Sequence, residues 1–221
     1  ILTDYILKFK PRSLTLVEKD NLLFEQLKLK YKNINNVKIF NEDILKFDLK
    51  KKLKKDCIVI GNLPYNISSQ ILVKILKLKD SSSKYSALIF MFQKELADRV
   101  VGEFGTSKYG RLSIFTNYKL KILERFEVSP NCFFPKPKVN STVLYFKPKN
   151  KLYNKIKDLN NLEKITNILF SNKRKMINKG IYKILKSSTI SSISNLNLTS
   201  RPSDLPPEKY YEITALFEKN L

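Results

Sequence analysis

Apolar runs alternate with segments of helical periodicity through much of the chain. Buried strands rich in Val, Ile and Phe are predicted over 13–18, 37–40, 57–61 and 86–93. Helical spacing of apolar residues predicts helices over 21–31 and 68–78 between them. Strands that alternate with helices form a parallel sheet with helices on its faces. The sequence therefore predicts an α/β fold.

The later part of the chain has a different pattern. Strands are predicted over 120–128 and 141–147, and the proline-rich loop 129–139 between them indicates an antiparallel end to the sheet. Beyond this, helices are predicted over 161–170, 173–186 and 207–219, with a Ser-rich connector over 187–194. We expect an α/β domain over residues 1–148 and a small all-helical domain over 149–221.

The charge of the chain is strongly positive. It has 42 Lys and Arg against 20 Asp and Glu, a formal net charge of +22. Such a surface favours polyanions, of which nucleic acid is the commonest. Most of these cations are lysines among many Asn and Ile, a composition that an AT-rich genome also produces. Charge alone leaves both explanations open.

The lack of histidine and of paired cysteines argues against several kinds of functional site. The chain has no histidine, and its two cysteines, Cys57 and Cys132, lie far apart without a CxxC spacing. This argues against the usual zinc sites and excludes histidine-based acid–base or triad chemistry. No apolar run of membrane-spanning length and no signal-peptide pattern is visible. We expect a cytoplasmic protein with no metal and no membrane partner.

Acidic residues follow two of the predicted strands. Glu18 ends the strand over 13–18, and Glu42 and Asp43 follow the next strand. In open parallel sheets, ligands bind beyond the carboxyl ends of the strands. A carboxylate at the end of the first strand can accept hydrogen bonds from both ribose hydroxyls of a nucleotide. A carboxylate after the second strand can accept a hydrogen bond from an adenine amine. Charged residues also end strands and cap helices without any ligand.

The segment "GNLPY" (61–65) follows the third predicted strand. The nitrogen of an exocyclic base amine is a poor nucleophile because its lone pair is delocalised into the ring. Two acceptors can draw it towards tetrahedral geometry: the side-chain oxygen of Asn62 and the carbonyl of Leu63, which Pro64 confines to an extended backbone. Tyr65 offers a ring for stacking, a contact of about 1–3 kcal/mol per base. The same four residues are also typical of a simple turn, but their place after a buried strand favours methyl transfer to a base.

The residues "GNLPYNIS" resemble the N6-adenine methyltransferase motif in its ribosomal RNA form. Other segments agree: "LVEKD" (16–20), "NEDILKF" (41–47), "FMFQKELADRVV" (90–101), "SKYGRLSIFTNY" (107–118), "FFPKPKVNSTV" (133–143), "FSNKRKMINKG" (170–180) and "RPSDLPPEKYYEI" (201–213). Together they resemble the bacterial small-subunit ribosomal RNA adenine dimethyltransferases over nearly the whole chain. The Erm family, which methylates large-subunit RNA and usually has Ile at the position of Leu63, is the near alternative.

The resemblance implies a Rossmann-like sheet that uses S-adenosylmethionine, followed by a small helical domain. It also implies two methyl groups on each of two adjacent adenosines near the 3′ end of 16S rRNA. The substrate would be an immature small ribosomal subunit, and we expect the enzyme to be a monomer. The alternative from another class is a non-catalytic RNA-binding assembly factor on the same fold.

The resemblance also assigns residues to roles. Glu18 would hold the cofactor ribose, Asp43 the cofactor adenine amine, and Asn62 would contact both cofactor and target amine. The target pocket would be completed by Leu63, Pro64 and Tyr65. Phe133 would stack on the other face of the flipped adenine, although chemistry alone does not separate Phe133 from Phe134.

A basic segment, "NKRKMINK" (172–179), is predicted to lie on a helix. Its cations are Lys173, Arg174, Lys175 and Lys179. A solvated helix face carries similar charges, but beside an RNA-modifying site we favour phosphate contacts. Such contacts position the RNA and make its binding fall with salt.

The sequence departs from the family pattern at its start. It contains no glycine-rich cofactor loop, and "LTDYIL" (2–7) is similar to the helix that follows that loop. In the family topology the strand before the loop is central, between the strands that end at Glu18 and Asn62, and unpaired backbone groups are costly when buried. We expect an N-terminally truncated piece that binds the cofactor poorly and has reduced stability.

Overall fold

A computed structural model describes residues 2–78, 84–150 and 156–221. The chain forms two compact units, Ile1–Lys51 and Lys52–Leu221. The domain boundary expected near residue 148 lies inside the second unit. The division into residues 1–148 and 149–221 therefore stays a prediction.

The first unit pairs two parallel strands. These are β1 (Leu14–Glu18) and β2 (Val37–Asn41), aligned so that Glu18 pairs with Asn41. The helices are α1 (Leu2–Lys8), α2 (Asn21–Tyr31) and α3 (Leu49–Lys52), the last of which ends at the boundary between the units. Asp20 caps α2 because its carboxylate accepts from the backbone N–H of Leu23 at 2.9 Å.

A buried tyrosine joins the first two helices. The hydroxyl of Tyr31 donates to Oδ1 of Asp4 at 2.8 Å, and Nζ of Lys30 donates to Oδ2 at 2.8 Å. These two hydrogen bonds lower the pKa of Asp4 to about 2. The carboxylate of Asp4 therefore links α1 to the end of α2.

The second unit contains a four-stranded sheet in the order β3-β4-β6-β5. The strands are β3 (Cys57–Asn62), β4 (Tyr85–Gln93), β5 (Leu120–Val128) and β6 (Ser141–Pro148). β3 and β4 are parallel, while β6 is antiparallel to both β4 and β5. The positions of the predicted strands and the antiparallel end of the sheet are confirmed. The burial predicted for the first three strands is wrong, because β1, β2 and β3 contain no fully buried residue.

One face of this sheet supplies much of the core. The alternation of side chains along a strand turns every second residue of β4 and β6 to that face. Its almost fully buried residues are Leu88, Phe90, Phe92, Leu144 and Phe146. The neighbouring helices are α4 (Ser68–Leu76), α5 (Lys94–Val100) and α6 (Arg111–Lys119).

The C-terminal part is helical. It contains α7 (Leu159–Phe170), α8 (Asn178–Ile181), α9 (Ser187–Ser191) and α10 (Pro207–Lys219). Single 3₁₀ turns cover Pro130–Cys132 and Pro202–Asp204. No helix in the described ranges has both the length and the hydrophobicity needed to cross a membrane.

The helix predicted over 173–186 is wrong, because only the short α8 forms there. The backbone N–H of Ile177 donates to the carbonyl of Ser200 at 2.9 Å instead of continuing a helical ladder. The segment before α8 therefore forms a turn over residues 171–174. A second turn covers residues 182–184 after α8. The Ser-rich connector predicted over 187–194 likewise contains a helix, α9.

Buried tyrosines connect the C-terminal helices to the rest of the second unit. Tyr109 donates its hydroxyl to the carbonyl of Leu205 and Tyr211 donates to that of Ile114, each at 2.9 Å. Burial raises the pKa of both tyrosines above the ordinary value, so the hydroxyls stay protonated donors. These contacts tie α10 and the turn before it to α6 and the loop that precedes α6.

Candidate functional site

The first unit places Glu18 and Asp43 at the carboxyl end of its two parallel strands. One carboxylate oxygen of Glu18 accepts from the backbone N–H of Asp20 at 2.8 Å. Asp43 accepts from Nζ of Lys19 at 2.9 Å and from the backbone N–H of Leu45 at 2.9 Å. Both carboxylates are therefore held in place by neighbouring loop residues.

The charge state of these carboxylates suits hydrogen-bond acceptors. The hydrogen bond from Lys19, followed by that from the backbone of Leu45, lowers the pKa of Asp43 below its ordinary value. Oε2 of Glu18 has no hydrogen-bond partner in the described part of the chain. An ionised carboxylate has about four lone-pair sites. Glu18 and Asp43 therefore retain the capacity to accept from nucleoside hydroxyls and amines.

The second unit places Asn62 at the carboxyl end of β3. Asn62 pairs in register with Met91 of β4, and its side chain is exposed. Among the described residues, none forms a hydrogen bond with that side chain. Leu63, by contrast, is buried with 8% of its surface exposed. Gly61 leaves room for it, because a Cβ at residue 61 would lie 2.6 Å from Cδ2 of Leu63.

The turn after Asn62 leads into α4 and fixes Tyr65. The carbonyl of Pro64 accepts from the backbone N–H of Ile67 at 3.1 Å, and Oγ of Ser68 donates to the carbonyl of Tyr65 at 3.1 Å. The hydroxyl of Tyr65 forms a hydrogen bond of 2.7 Å with Oγ of Ser141. Tyr65 is therefore held through its backbone and through the far end of its ring.

Ser141 is a residue that the sequence analysis did not single out. It is fully buried, and it begins β6 directly after the proline-rich loop. Its partner Tyr65 lies 76 residues away in the chain. A serine with such a distant partner has no local sequence signal, although it stands inside the quoted segment "FFPKPKVNSTV".

The loop between β5 and β6 carries Phe133. Because β6 is antiparallel to β4, this loop lies at the sheet edge where β3 and β4 end. The backbone N–H of Phe133 donates to the carbonyl of Pro130 at 3.2 Å, and the backbone N–H of Lys94 donates to the carbonyl of Asn140 at 2.9 Å. Phe133 is half-buried, whereas Phe134 is fully exposed.

The four predicted RNA-binding cations are exposed, but three of them do not lie on a helix. Lys173, Arg174 and Lys175 occupy turn and bend residues after α7, and only Lys179 is in a helix, α8. Nζ of Lys173 lies 3.9 Å from the position that a Cβ would take at Gly110, just before α6. The segment is therefore a basic turn rather than a basic helix face.

The predicted site residues are divided between the two units. Glu18 and Asp43 belong to the first unit, and the remaining predicted residues belong to the second. The second unit contains two cavities of about 350 Å³ each, and none of the predicted residues lines either of them. One of the two lies between the end of β4 and the base of the β5–β6 loop. No group of three or more metal-binding side chains occurs among the residues that the structure describes.

The alternating strands and helices, with an Asn-Leu-Pro-Tyr turn at the end of β3, are the arrangement expected of a Rossmann-like methyltransferase. The sequence model of one family, described as ribosomal RNA adenine dimethylase, matches residues 1–219. The chain belongs to this family.

Relatives and solved structures agree with this assignment. A Pelagibacter ubique protein named ribosomal RNA small subunit methyltransferase A is 41% identical over 98% of this chain and 82% of the relative. A protein of the same name from Malacoplasma penetrans is 39% identical over 91% of this chain and 72% of the relative.

The solved structures are more distant in sequence and show the fold. A dimethyladenosine transferase from Plasmodium falciparum superposes with a TM-score of 0.77 at 21% identity, covering 98% of this chain and 86% of its own. The 23S rRNA methyltransferase ErmE superposes with a TM-score of 0.65 at 19% identity, covering 94% of this chain and 82% of its own. The predicted Rossmann-like fold is confirmed.

Proposed function

We propose that this protein dimethylates the N6 amines of two adjacent adenosines near the 3′ end of 16S rRNA. The substrate is RNA within an immature small ribosomal subunit, in the cytoplasm, and the enzyme acts as a monomer. The observation that carries the proposal is the turn Asn62–Tyr65, which follows β3 and leaves the Asn62 amide exposed without a partner among the described residues. Membership of the ribosomal RNA adenine dimethylase family supports the same reaction.

Glu18 and Asp43 are proposed to hold the nucleoside part of the methyl donor, S-adenosylmethionine. Oε2 of Glu18 is open to ribose hydroxyls, and the lowered pKa of Asp43 keeps its carboxylate ionised to accept from an adenine amine. When bound, this cofactor supplies an electrophilic methyl group. Asn62 is proposed to contact it as well.

Asn62 and Leu63 are proposed to prepare the target amine. For the first methyl group, the Asn62 amide oxygen and the Leu63 carbonyl accept hydrogen bonds from its two N–H groups, which turns the nitrogen lone pair away from the ring system. The burial of Leu63 and the restriction that Pro64 places on it fix the direction of this carbonyl. This step needs no histidine base, because the amine keeps its protons until the methyl group has been transferred and then releases one proton to solvent.

Tyr65 and Phe133 are proposed as the walls of the target pocket. Stacking on an aromatic ring contributes about 1–3 kcal/mol per base. This offsets part of the few kcal/mol needed to take the base out of its stack. The hydrogen bond from Ser141 holds the Tyr65 ring before the base arrives, so little ordering is left to the binding step.

The exposed cations of the basic turn are proposed to contact RNA phosphates. They are Lys173, Arg174, Lys175 and Lys179, and no ion pair holds them within the described part of the chain. Each phosphate contact releases a counterion, so binding weakens as salt rises. These contacts position the RNA without reading its sequence.

Methyl transfer from labelled S-adenosylmethionine tests the function. Immature small subunits and, separately, large-subunit RNA would be incubated with the protein, and the labelled nucleotides identified by mass spectrometry. We expect N6,N6-dimethyladenosine at two adjacent positions of 16S rRNA. Label in large-subunit RNA would indicate an Erm-type enzyme, and binding without label would indicate an assembly factor.

A further inference from the structure

We propose that Phe134 binds a second nucleotide of the RNA, the one adjoining the adenosine that enters the target pocket. This role of Phe134 presupposes the proposed function. The contact is a stack between the Phe134 ring and the neighbouring base, with Lys136 and Lys138 beside the phosphates. It extends the site from one flipped base to a short single-stranded segment.

Two adjacent rings of the same loop have different surroundings. Phe133 is half-buried, whereas Phe134 is fully exposed. Single exposed apolar residues are common on protein surfaces, so exposure alone does not define a site. What distinguishes Phe134 is its direct neighbour, which is proposed to stack on the target base.

The backbone directs the two rings to opposite sides. Phe133 has φ −122° and ψ 149°, an extended conformation. Successive side chains of an extended chain point in opposite directions. The extended backbone at Phe133 therefore favours opposite sides for the two side chains, which leaves the exposed Phe134 ring to another nucleotide.

The loop presents the Phe134 ring from a restrained backbone. At one end, the backbone N–H of Phe133 donates a hydrogen bond to the carbonyl of Pro130 at 3.2 Å. At the other end, the backbone N–H of Lys94 donates to the carbonyl of Asn140 at 2.9 Å. Between these anchors, Pro135 and Pro137 each fix one φ angle. A restrained loop loses less entropy when it binds than a flexible one.

The charges around Phe134 match an RNA strand. Lys136 and Lys138 are exposed, and neither forms an ion pair within the described ranges. Lys94, at the foot of the same loop, is instead paired with Glu127. Aromatic rings interleaved with free cations are the chemistry of single-stranded nucleic acid binding. The loop therefore fits a nucleotide better than an apolar protein surface.

The first test is binding to a short single-stranded RNA with the sequence of the substrate. 2-Aminopurine would replace the nucleotide on the 5′ or the 3′ side of the target adenosine, and its fluorescence quenching would be titrated with the full chain. We expect quenching at one of the two positions. Phe134→Ala and Phe134→Leu should each weaken binding about 10-fold and remove that quenching, while Phe134→Trp should keep both.

Because the Phe134 side chain contacts solvent, none of these variants is expected to disturb folding, and matching circular dichroism spectra would verify this. Equal affinity of wild type and Phe134→Ala would overturn the proposal. Full affinity of Phe134→Leu would do so as well, since leucine keeps an apolar contact but has no ring to stack.

The second test separates Phe134 from the methyl-transfer reaction. With immature small subunits, Phe134→Ala should raise KM for RNA about 10-fold and leave kcat nearly unchanged. Lys136→Ala and Lys138→Ala should each reduce the salt slope of binding by about one. If wild type methylates RNA and Phe134→Ala matches it in KM and in binding, only the role of Phe134 fails. If wild type transfers no methyl group, the proposed function fails, and the role of Phe134 beside a target adenosine fails with it. The fluorescence titration then reports only whether Phe134 contacts RNA.

Discussion

The two units of this protein hold their candidate site residues in different ways. In the first unit, no residue of β1 or β2 is fully buried, and Asp43 is paired with Lys19, whose side chain is 74% exposed. In the second unit, β4 and β6 are largely buried, and Tyr65 is held by the fully buried Ser141. Among the candidate target-base residues, Tyr65 and Leu63 thus rest on a packed core, although β3, which leads into their turn, has no fully buried residue. The candidate cofactor residues rest on exposed hydrogen bonds.

This difference has a consequence for binding. Groups that are already fixed by packing lose little freedom when a ligand arrives. Tyr65 and Leu63 satisfy this condition within their own unit, because one is tethered and the other is buried. Glu18 and Asp43 depend on neighbouring loop residues, and an exposed ion pair such as Lys19–Asp43 contributes little, about 0–1 kcal/mol.

Matched leucine truncations should give the largest contrast. Leu88→Ala removes a fully buried side chain from β4 and should lower the free energy of unfolding by about 2–5 kcal/mol. Leu16→Ala removes a half-buried side chain from β1 and should cost about 1–2 kcal/mol. Urea unfolding followed by circular dichroism measures both, and equal losses would contradict the comparison.

Loss of the Tyr65–Ser141 hydrogen bond should have an intermediate effect. Tyr65→Phe and Ser141→Ala should each lower kcat for methyl transfer about 10-fold, because the ring is no longer fixed. The double variant should be hardly slower than either single variant, as expected for two groups of one interaction. Tyr145→Phe, on the same strand, is the matched control and should keep the wild-type rate. Additive losses would show that the two residues act separately.

Neutralising Asp43 should have a smaller effect. Asp43→Asn replaces a charged acceptor with a neutral one and should weaken S-adenosylmethionine binding about fivefold, since charged hydrogen bonds are the stronger ones. Glu42→Gln, at the exposed neighbouring position, should bind as wild type does. Isothermal titration measures both, and a loss of the same size in the two variants would indicate a general charge effect.

The smallest effect concerns the pH dependence of the first unit. The hydrogen bonds from Lys30 and Tyr31 lower the pKa of Asp4 from 3.8 to about 2. The stabilisation is therefore present above pH 3.8 and is lost as the pH falls through about 2. Asp4→Asn should lower the Tm slightly at pH 7, and its difference from wild type should vanish at the acid end. A difference that persists unchanged at pH 2 would rule out the ionised carboxylate as the cause.

The positions of the strands in both sheets were largely predictable from local sequence. The apolar, β-branched runs gave β1 to β4, and the proline-rich segment correctly separated the two antiparallel strands β5 and β6. Short-range patterns thus predict where these strands lie. They predict burial less well, because β4 is largely buried but β1, β2 and β3 contain no fully buried residue. The turn after β3 was also predictable from local sequence, since Pro64 restricts the residue before it.

The errors lie where distant contacts decide the conformation. The spacing of Ile177, Ile181 and Leu185 suits a helix, and all three are buried. The hydrogen bond from Ile177 to Ser200 nevertheless interrupts the ladder, so the basic segment before it forms turns. Ser141 was missed for a similar reason, because its partner is remote in the chain. Over residues 177–185, local periodicity predicts which residues are buried more reliably than it predicts which backbone groups pair.

The most direct measurement compares the methyl-transfer rates of Asn62→Ala and Asn66→Ala with that of wild type on immature small subunits. Both residues are exposed amides around the same turn, but only Asn62 is proposed to accept from the target amine. We predict a rate about 10²–10³-fold lower for Asn62→Ala, by analogy with the loss of one positioned hydrogen-bond partner. Asn66→Ala should retain the wild-type rate. A near-wild-type rate for Asn62→Ala would contradict the proposed role of the turn after β3.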